Sequence, residues 1–530
     1  MVGSQSRQTQ LSRFVVSAEQ MRQIEERIFA AQMPVAALME KVAQLITTRI
    51  VTLYPLSDVV RVGILVGPGH NGGDALVVAR ELHLQGYQVS LYRPLKKLKD
   101  LSAAHASYAT SLGIPVTQEI KALEKCELII DGLFGFGLTR KIEGEIAAAL
   151  EEINRWRKPV ISIDLPSGIN TDTGEVQGIA IRATYTFCLG LWKLAFLQDQ
   201  ALEFFGKAQL IDFGIPLKDV EAIMLPQPQI QRLTAEVVSD YLPLPRPLVT
   251  HKYQQGHLLL ICGSSRYAGG SILTGLGARA SGVGMLSIAV PESLKPLLVS
   301  QIPDALIIGC PETETGAIAH LPIPQSQLEQ FTIIACGPGL TLDAKSVVER
   351  AIQAPVPLIL DADGLNILSL MGTTKTLASR KSATVLTPHL GEFKRLFPQI
   401  EQPHHDRIKA AQQAAQESRA IVLFKGSRST IADADGSVWL LAESTPALAR
   451  GGSGDVLTGL MGGLMAQSHS REQPMLNVIA AAAWCHAQAG ILAAQERTEL
   501  GVDAVTLSKY IVKSLSTLEA KKWNIRQNLQ

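Results

Sequence analysis

Little in this sequence would tie it to an oxidising compartment, a bilayer or a nucleic acid. Its six cysteines, Cys126, Cys188, Cys262, Cys310, Cys336 and Cys485, show no CxxC spacing, and several lie in apolar runs. They read as reduced core residues rather than as disulfides or zinc ligands. No uninterrupted apolar run reaches membrane length, and the opening MVGSQSRQTQLSR lacks the apolar centre of a secretion signal. Neither charge sign prevails, since 49 Lys and Arg stand against 48 Asp and Glu, and a polyanion is therefore a poor partner. The expectation is a cytoplasmic protein that binds neither membrane nor nucleic acid.

What is present is ample core material. With 46% hydrophobic and 18% charged residues, disorder is excluded, and 530 residues predict two to four folding units. SAEQMRQIEERIFA has helical spacing behind a serine N-cap at Ser17, and MPVAALMEKVAQLITTRIV continues as a second helix. Short apolar strands and helical stretches then alternate: RVGILVG, QVSLYR, CELIID, KPVISIDLP and TYTFCLG are spaced as strands of a parallel sheet. Prolines concentrate at 225–247, and the pattern restarts with HLLLICG, MLSIAVP, FTIIACGPG, VPLILDADG and ATVLTPH. STIADADGSVWLL predicts a hairpin turning at Asp435-Gly436, and three helical stretches close the chain. The fold class is α/β, a doubly wound N-terminal domain followed by a second α/β domain. The expected division is an extension at 1–16, a first domain at 17–225, a linker at 226–234, a second domain at 235–520 and a tail at 521–530.

In the first domain, GPGHNGGDALVVAR puts four glycines between a strand and a helix. Backbone N–H groups exposed there suit a phosphate at the helix start, although a ligand-free tight turn has the same composition. Strand ends also carry Asp131, in IIDGLFGFGL, and Asp164, in SIDLPSGINTDTG. In an open parallel sheet such positions converge on one crevice, whereas either Asp alone reads more simply as a cap or turn former. GPGHNGGDA, DGLFGFGL, DLPSGINTDTG and LGLWKLAF follow one another in the order of the hallmarks of the YjeF N-terminal family, the NAD(P)H-hydrate epimerases, which residues 17–220 resemble. Asn stands at the His70 position and Gly at the Ala75 position in most of that family. The resemblance implies a Rossmann-like fold and a potassium ion at Asn71, Asp131 and Ser167, an oxygen donor set suited to a hard ion. It further implies contact with hydrated NAD(P)H by His70, Asn71, Gly72, Gly73 and Asp74, by Gly135, Phe136, Gly137, Leu138, Thr139, Arg140 and Lys141, and by Asp164. Epimerising C6 breaks and remakes a bond at a carbon bearing a hydroxyl, which requires a positioned proton donor and acceptor, and Asp164 is the candidate.

In the second domain, TPALARGGSGDVLTGLMGG runs a glycine-rich turn into a helix with Asp455 in its first turn. That pairs an anion hole of backbone N–H groups with a carboxylate able to take a proton from a hydroxyl, as phosphoryl transfer to an alcohol requires. As a helix charge alone Asp455 would be worth ~0.5 kcal/mol. Its company argues for more: Lys425 and a run of small residues follow a strand in LFKGSRSTIAD, and ACGPGLT, LDADGLN and TPHLGEF add three more strand-end loops. A lone histidine such as His389 is more often structural, but between Pro388 and the Leu390-Gly391 turn it tilts toward function. HKYQQGHLLLICGSSRYAGGSIL, GPGL, LDADGLN, LTPHLGE, KGSRST and GGSGDVLTG together resemble the ribokinase-like YjeF C-terminal family, the ADP/ATP-dependent NAD(P)H-hydrate dehydratases, over residues 235–520. The resemblance implies that Ser271, Gly339, His389 and Asp455 face the hydrated cofactor, and that Lys425, Gly426, Ser427, Arg428, Ser429 and Gly454 face the nucleotide. Ser271 stands where that family often has alanine. ADP as cosubstrate, magnesium at its phosphates and a homo-oligomeric assembly are expected.

Two other readings compete. A plain small-molecule kinase would share the GGSGD-type turn but leave the first domain without a task. A binding scaffold, of the kind carried by eukaryotic mRNA-decapping proteins, would have no need of Asn71, Asp131, Asp164 and Ser167 together.

Overall fold

The computed structural model describes residues 7–225, 230–469, 471 and 473–527. The described residues fall into two compact units, one within Gln5–Gln227 and the other within Pro228–Gln530.

The N-terminal unit is built on a seven-stranded, wholly parallel sheet. The strand Arg61–Val66 lies inside it, with Gln88–Tyr92 and Val116–Thr117 to one side and Leu128–Gly132, Val160–Ile163, Tyr185–Leu189 and Lys207–Ile211 to the other. Helices cover both faces, which is why these strands are continuous apolar runs rather than alternating ones. Strand order reverses between Arg61–Val66 and Leu128–Gly132, and the crevice at such a switch point is where ligands bind. The expected cap is present: Ser17 Oγ accepts from Gln20 N, and Gln20 Oε1 accepts from Ser17 N, which starts the helix Ala18–Ala30. Residues expected as an N-terminal extension are part of this unit. Leu11, Phe14, Val15 and Val16 are buried, and Val15–Val16 pairs in parallel with Trp192–Lys193.

The glycine-rich turn differs from expectation. The helix begins at His70 and takes in Gly72 and Gly73, because a side chain at Gly72 would collide with the Gly67 backbone and one at Gly73 with the Met39 side chain. These glycines serve as much to bring the helix against the strand end as to expose amides.

The C-terminal unit has a ten-stranded sheet. His257–Ile261 lies inside it, flanked by Met285–Pro291 and Leu306–Cys310 on one side. On the other side come Ile333–Cys336, Leu358–Leu360, Thr384–Leu386 and Ile421–Phe424, all parallel. Thr430–Ala432 and Val438–Leu440 then form the antiparallel hairpin, with Gly436 at φ 91° in the turn. Residues 230–234, expected within the linker, contribute to this unit: Ile230–Arg232 is a parallel edge strand on Val438–Leu440, and Thr234 caps the next helix through Val237 N. All six cysteines are free and buried.

Among the described residues one helix, Met475–Arg497, is long and apolar enough to cross a membrane by length and composition, which its sequence alone did not mark out. Its composition has another cause here, because two thirds of its most apolar stretch is buried inside the protein, and Ile479, Cys485 and Ala489 belong to the core of the C-terminal unit.

The helices Ala268–Ala280 and Ser453–His469 pack backbone to backbone. A Cβ on Gly277 would strike Val456 O, and one on Gly459 would strike Thr274 O. That contact holds the helix carrying Asp455 at a fixed height over the sheet. Gly459→Ala is expected to destabilise this unit by about 1–3 kcal/mol through overpacking, read as a lowered Tm; an unchanged Tm would refute the close approach.

Candidate active sites

The N-terminal crevice opens into a cavity of about 440 Å³. His70, Asn71, Asp74, Gly135, Phe136, Gly137, Leu138, Thr139, Arg140 and Asp164 line it, as expected of them. Gly72 and Gly73 lie beneath it in the helix, and Lys141 is exposed and does not line it.

Asp164 follows the strand Val160–Ile163 with φ 67°. This left-handed conformation is uncommon outside glycine, and such strain concentrates at functional sites. It aims both carboxylate oxygens inward. Oδ1 accepts from Leu189 N at 3.3 Å and pairs with Lys193 Nζ at 2.5 Å, and Oδ2 accepts from Phe136 N at 3.2 Å. Lys193 also donates to Leu189 O at 2.6 Å and is fully buried. Burial works against its charge, but Asp164, with Cys188 and Glu25, holds the ammonium above the usual lysine range. The lysine was visible in LGLWKLAF without a role; its partnership required the fold.

Asp131 and Asn71 meet the same floor. Asp131 is fully buried and accepts from Ser167 N (2.8 Å), Ser167 Oγ (2.6 Å), Ser162 Oγ (2.9 Å) and Leu133 N (3.2 Å). These bonds lock the DGLFGFGL loop to the DLPSG loop. Burial pushes its carboxyl above the usual range, and the donors only partly offset this. The Asn71 carboxamide and Asp164 Oδ2 both come within 3.3 Å of the point where a Gly135 side chain would begin, so Gly135 leaves room for a ligand between them. Two further carboxyls line the cavity, Asp74 and Glu25. Burial raises both, Asp74 well above its ordinary range with Asp164 and Glu25 adding, and Glu25 to about 7. Glu25 escaped the sequence reading because a glutamate in QIEERIFA looks like part of a solvated helix face.

In the C-terminal unit five strand-end loops converge. Lys425 Nζ pairs with Asp361 Oδ1 at 2.7 Å, and Thr458 Oγ1 donates to Asp361 Oδ2 at 2.7 Å. Burial opposes both charges, yet each holds the other ionised: the Lys425 ammonium sits above its usual range and the Asp361 carboxyl below its own. A Cβ on Gly454 would begin 3.5 Å from Lys425 Nζ, and one on Gly270 would begin 3.5 Å from Asp455 Oδ2 and 3.8 Å from Gly339 Cα. Asp455, Gly339, Lys425 and Gly454 therefore border one cleft. Burial first, then Asp361, raises Asp455 to about 6 against the pull of Lys425.

His389 caps the helix Leu390–Leu396, its Nδ1 accepting from Gly391 N and Glu392 N while its own N–H donates to Glu392 Oε2. Its side chain is more than half exposed, with Nε2 3.5 Å from Glu392 Oε1. Ser271 is fully buried, its hydroxyl donating to Ala268 O at 2.7 Å and packed against Gly263, so no polar group of it is offered to a ligand. Of the nucleotide segment, Gly426 and Ser427 are exposed, Ser429 is turned inward to Gly426 O, and Arg428 lines a second cavity of about 420 Å³ with Glu443, Pro446 and Ile491. His486, unsuspected from sequence, lies beneath the glycine-rich turn with Nε2 2.9 Å from Ser453 O; burial pulls it down to about 4, so it is neutral at pH 7.

Two open sheets, the first parallel throughout and the second parallel except for its hairpin, each with a Lys–Asp pair and further carboxyls at the mouth of its strands, define a two-site α/β enzyme. Residues 35–195 match the family model described as YjeF-related protein N-terminus, and residues 258–513 match the one described as NAD(P)H-hydrate dehydratase. Over 500 residues the chain is 55% identical to the bifunctional NAD(P)H-hydrate repair enzyme of Synechocystis sp., covering 94% of both chains. Over 501 residues it is 49% identical to that of Thermosynechococcus vestitus, covering 94% of this chain and 97% of the other. A solved structure of an ADP/ATP-dependent NAD(P)H-hydrate dehydratase from Bacillus subtilis, co-crystallised with ATP and Mg2+, is 30% identical with a TM-score of 0.47, covering 54% of this chain and 98% of that one. The chain belongs to the bifunctional NAD(P)H-hydrate repair enzyme family, with a Rossmann-like epimerase domain followed by a ribokinase-like dehydratase domain.

Replacing Lys193 with Met is expected to cost about 3–5 kcal/mol by leaving the Asp164 carboxylate buried without its cation. Chemical denaturation of the variant measures this, and undiminished stability would overturn the pairing.

Proposed function

We propose that the N-terminal site interconverts the two C6 epimers of hydrated NADH or NADPH, and that the C-terminal site dehydrates the S epimer at the expense of ADP. The observation that carries the second half is Asp455, placed in the first turn of its helix, beside the Lys425–Asp361 pair and across from Gly339. Asp455 takes the proton of the C6 hydroxyl as that oxygen attacks the terminal phosphorus of ADP, and AMP departs. Loss of phosphate with a C5 proton then restores the ring double bond. Hydroxide leaves poorly and phosphate well, which is the reason a kinase-type site serves a dehydration. Lys425 supplies fixed positive charge where charge gathers on the transferring group. Gly426, Ser427 and Gly454 face the nucleotide and Gly339 and His389 border the hydrated ring, whereas Ser271 and Ser429 spend their hydroxyls on backbone carbonyls. In the N-terminal cavity, Asp164 gives and takes a proton at the C6 oxygen, the start of the helix at His70 and the 135–140 loop grip the dinucleotide, and the substrate enters over Gly135.

The residues present fit a potassium ion at Asn71, Asp131 and Ser167. The buried Asp131 has four neutral donors and, among the described residues, no cation beside it, and the Asn71 carboxamide oxygen faces the gap over Gly135. The ion would neutralise Asp131 and tie together the loops that floor the cavity. Magnesium needs only one or two protein carboxylates when it rides on phosphates, and Asp361 stands at the Gly454 cradle for it; it would neutralise phosphate charge there. A cytoplasmic location accords with six reduced, buried cysteines.

Incubation with mixed hydrated NADH epimers and ADP is expected to restore the reduced-nicotinamide absorbance beyond the share present as the S epimer; recovery stopping at that share would refute an active first site. Asp455→Asn should abolish dehydration and spare epimerisation. Because the base must be ionised and burial raises it to about 6, the dehydration rate should fall as pH drops through about 6. A rate unchanged down to pH 5 would remove Asp455 from this role.

A further inference from the structure

We infer that Glu25 is a second catalytic residue of the epimerase site, giving and taking a proton at the C6 oxygen from the helix wall of the cavity while Asp164 does so from the sheet. The inference rests on the epimerase reading of that cavity. Inverting a carbon that bears a hydroxyl and a ring nitrogen requires one group to protonate the departing oxygen and another to deprotonate the water arriving on the other face. A single carboxylate held by a lysine serves one of those tasks.

Asp164 is so held, with Lys193 on Oδ1 and backbone amides on both oxygens. Glu25 enters from the helix Ala18–Ala30, between the buried Ile24 and Ile28. It lines the same cavity as Asp164, Lys193 and Gly135, and its carboxyl accepts no hydrogen bond from the described residues. It is thus a carboxyl within the field of Lys193 and Asp164 and with no structural partner to satisfy. Lys193, Asp164 and Lys99 act on it; Asp74, His70 and Arg140 are the other ionisable groups lining the cavity. Burial first, with Asp164 adding and the two lysines opposing, lifts its carboxyl to about 7, the range in which a group can both give and accept a proton.

The step balances as follows. The N1 lone pair forms a C6=N1 double bond as the C6–O bond breaks, and the Glu25 carboxylic proton passes to the departing oxygen, which leaves as water. A water on the other face adds to C6, returning the electron pair to N1, and its surplus proton passes to Asp164. The pair is then set for the reverse direction, or regains its first form by exchange with solvent. Two carboxyls on the two sides of a ring carbon bonded to a heteroatom are the arrangement by which inverting glycosidases act.

The test uses the full chain. Epimerisation is followed by resolving the two epimers without ADP, with the uncatalysed rate subtracted, and dehydration by absorbance with ADP added. Glu25→Gln should lower kcat for epimerisation by about 10²- to 10⁴-fold with KM little changed and dehydration of the S epimer intact; Glu25→Asp should recover part of the loss, and Glu26→Gln, on the exposed face of the same helix, should have no effect. In the wild type, kcat/KM should fall as pH rises through about 7, and Glu25→Gln should lack that limb. A Glu25→Gln enzyme as fast as wild type, or a wild-type profile without the limb, overturns the inference and leaves the epimerase reading standing. Absence of epimerisation in the wild type, with dehydration normal, overturns that reading itself.

Discussion

Each half of this chain holds a lysine ammonium against a buried aspartate at the carboxyl edge of its sheet, and each site depends on that pair. A charge taken out of water is costly unless its partner is close and well placed, so Lys193 fixes Asp164 and Lys425 fixes Asp361. The pairs also decide what the neighbouring carboxyls can do. Asp164 and Glu25 share the field of Lys193, yet only Asp164 is bonded to it, and burial lifts Glu25 to about 7 against the pull of that lysine. Asp455 stands near Lys425 without being its partner, and Asp361, already neutralised by the lysine, still adds to its proton affinity. One buried ion pair thus yields two carboxyls of different character in each half.

The supporting layers follow from keeping those pairs dry and in place. The sheet mouths exist because strand order reverses once in each unit, between Arg61–Val66 and Leu128–Gly132 and between His257–Ile261 and Ile333–Cys336. Asp164, Thr341 and Ala362 hold positive φ just beyond strand ends, a strain the surrounding packing sustains. Beneath the glycine-rich turn, His486 fastens the first residue of the Asp455 helix from below, so the base is held both by its own helix and by a neutral imidazole.

Sequence patterns located the elements and the loops well, because strands buried on both faces and glycines at strand ends leave local signatures. Asp164, Asp455, Asn71 and Gly339 stand at the sites for that reason. What was not legible is which distant residues meet. Lys193 lies in a quoted motif, but nothing local joins it to Asp164, and Glu25 lies on a helix whose periodicity describes burial without saying what it is buried beside. The glycines of GPGHNGG read as amide exposure and serve also as clearance, a distinction only the approach of helix to strand can make. Lys141 and Ser271 show the converse: they stand within motif runs, yet one points to solvent and the other spends its hydroxyl on its own helix.

The short strand Ile230–Arg232 carries a practical consequence. It covers the outer backbone of Val438–Leu440, which would otherwise present a row of unmatched amides and carbonyls open to strands of other molecules. A dehydratase half severed at residue 235 would carry that row uncovered and be prone to self-association, whereas one severed a few residues earlier would keep its own shield. The join between the two enzymes is therefore also the selvedge of the second one.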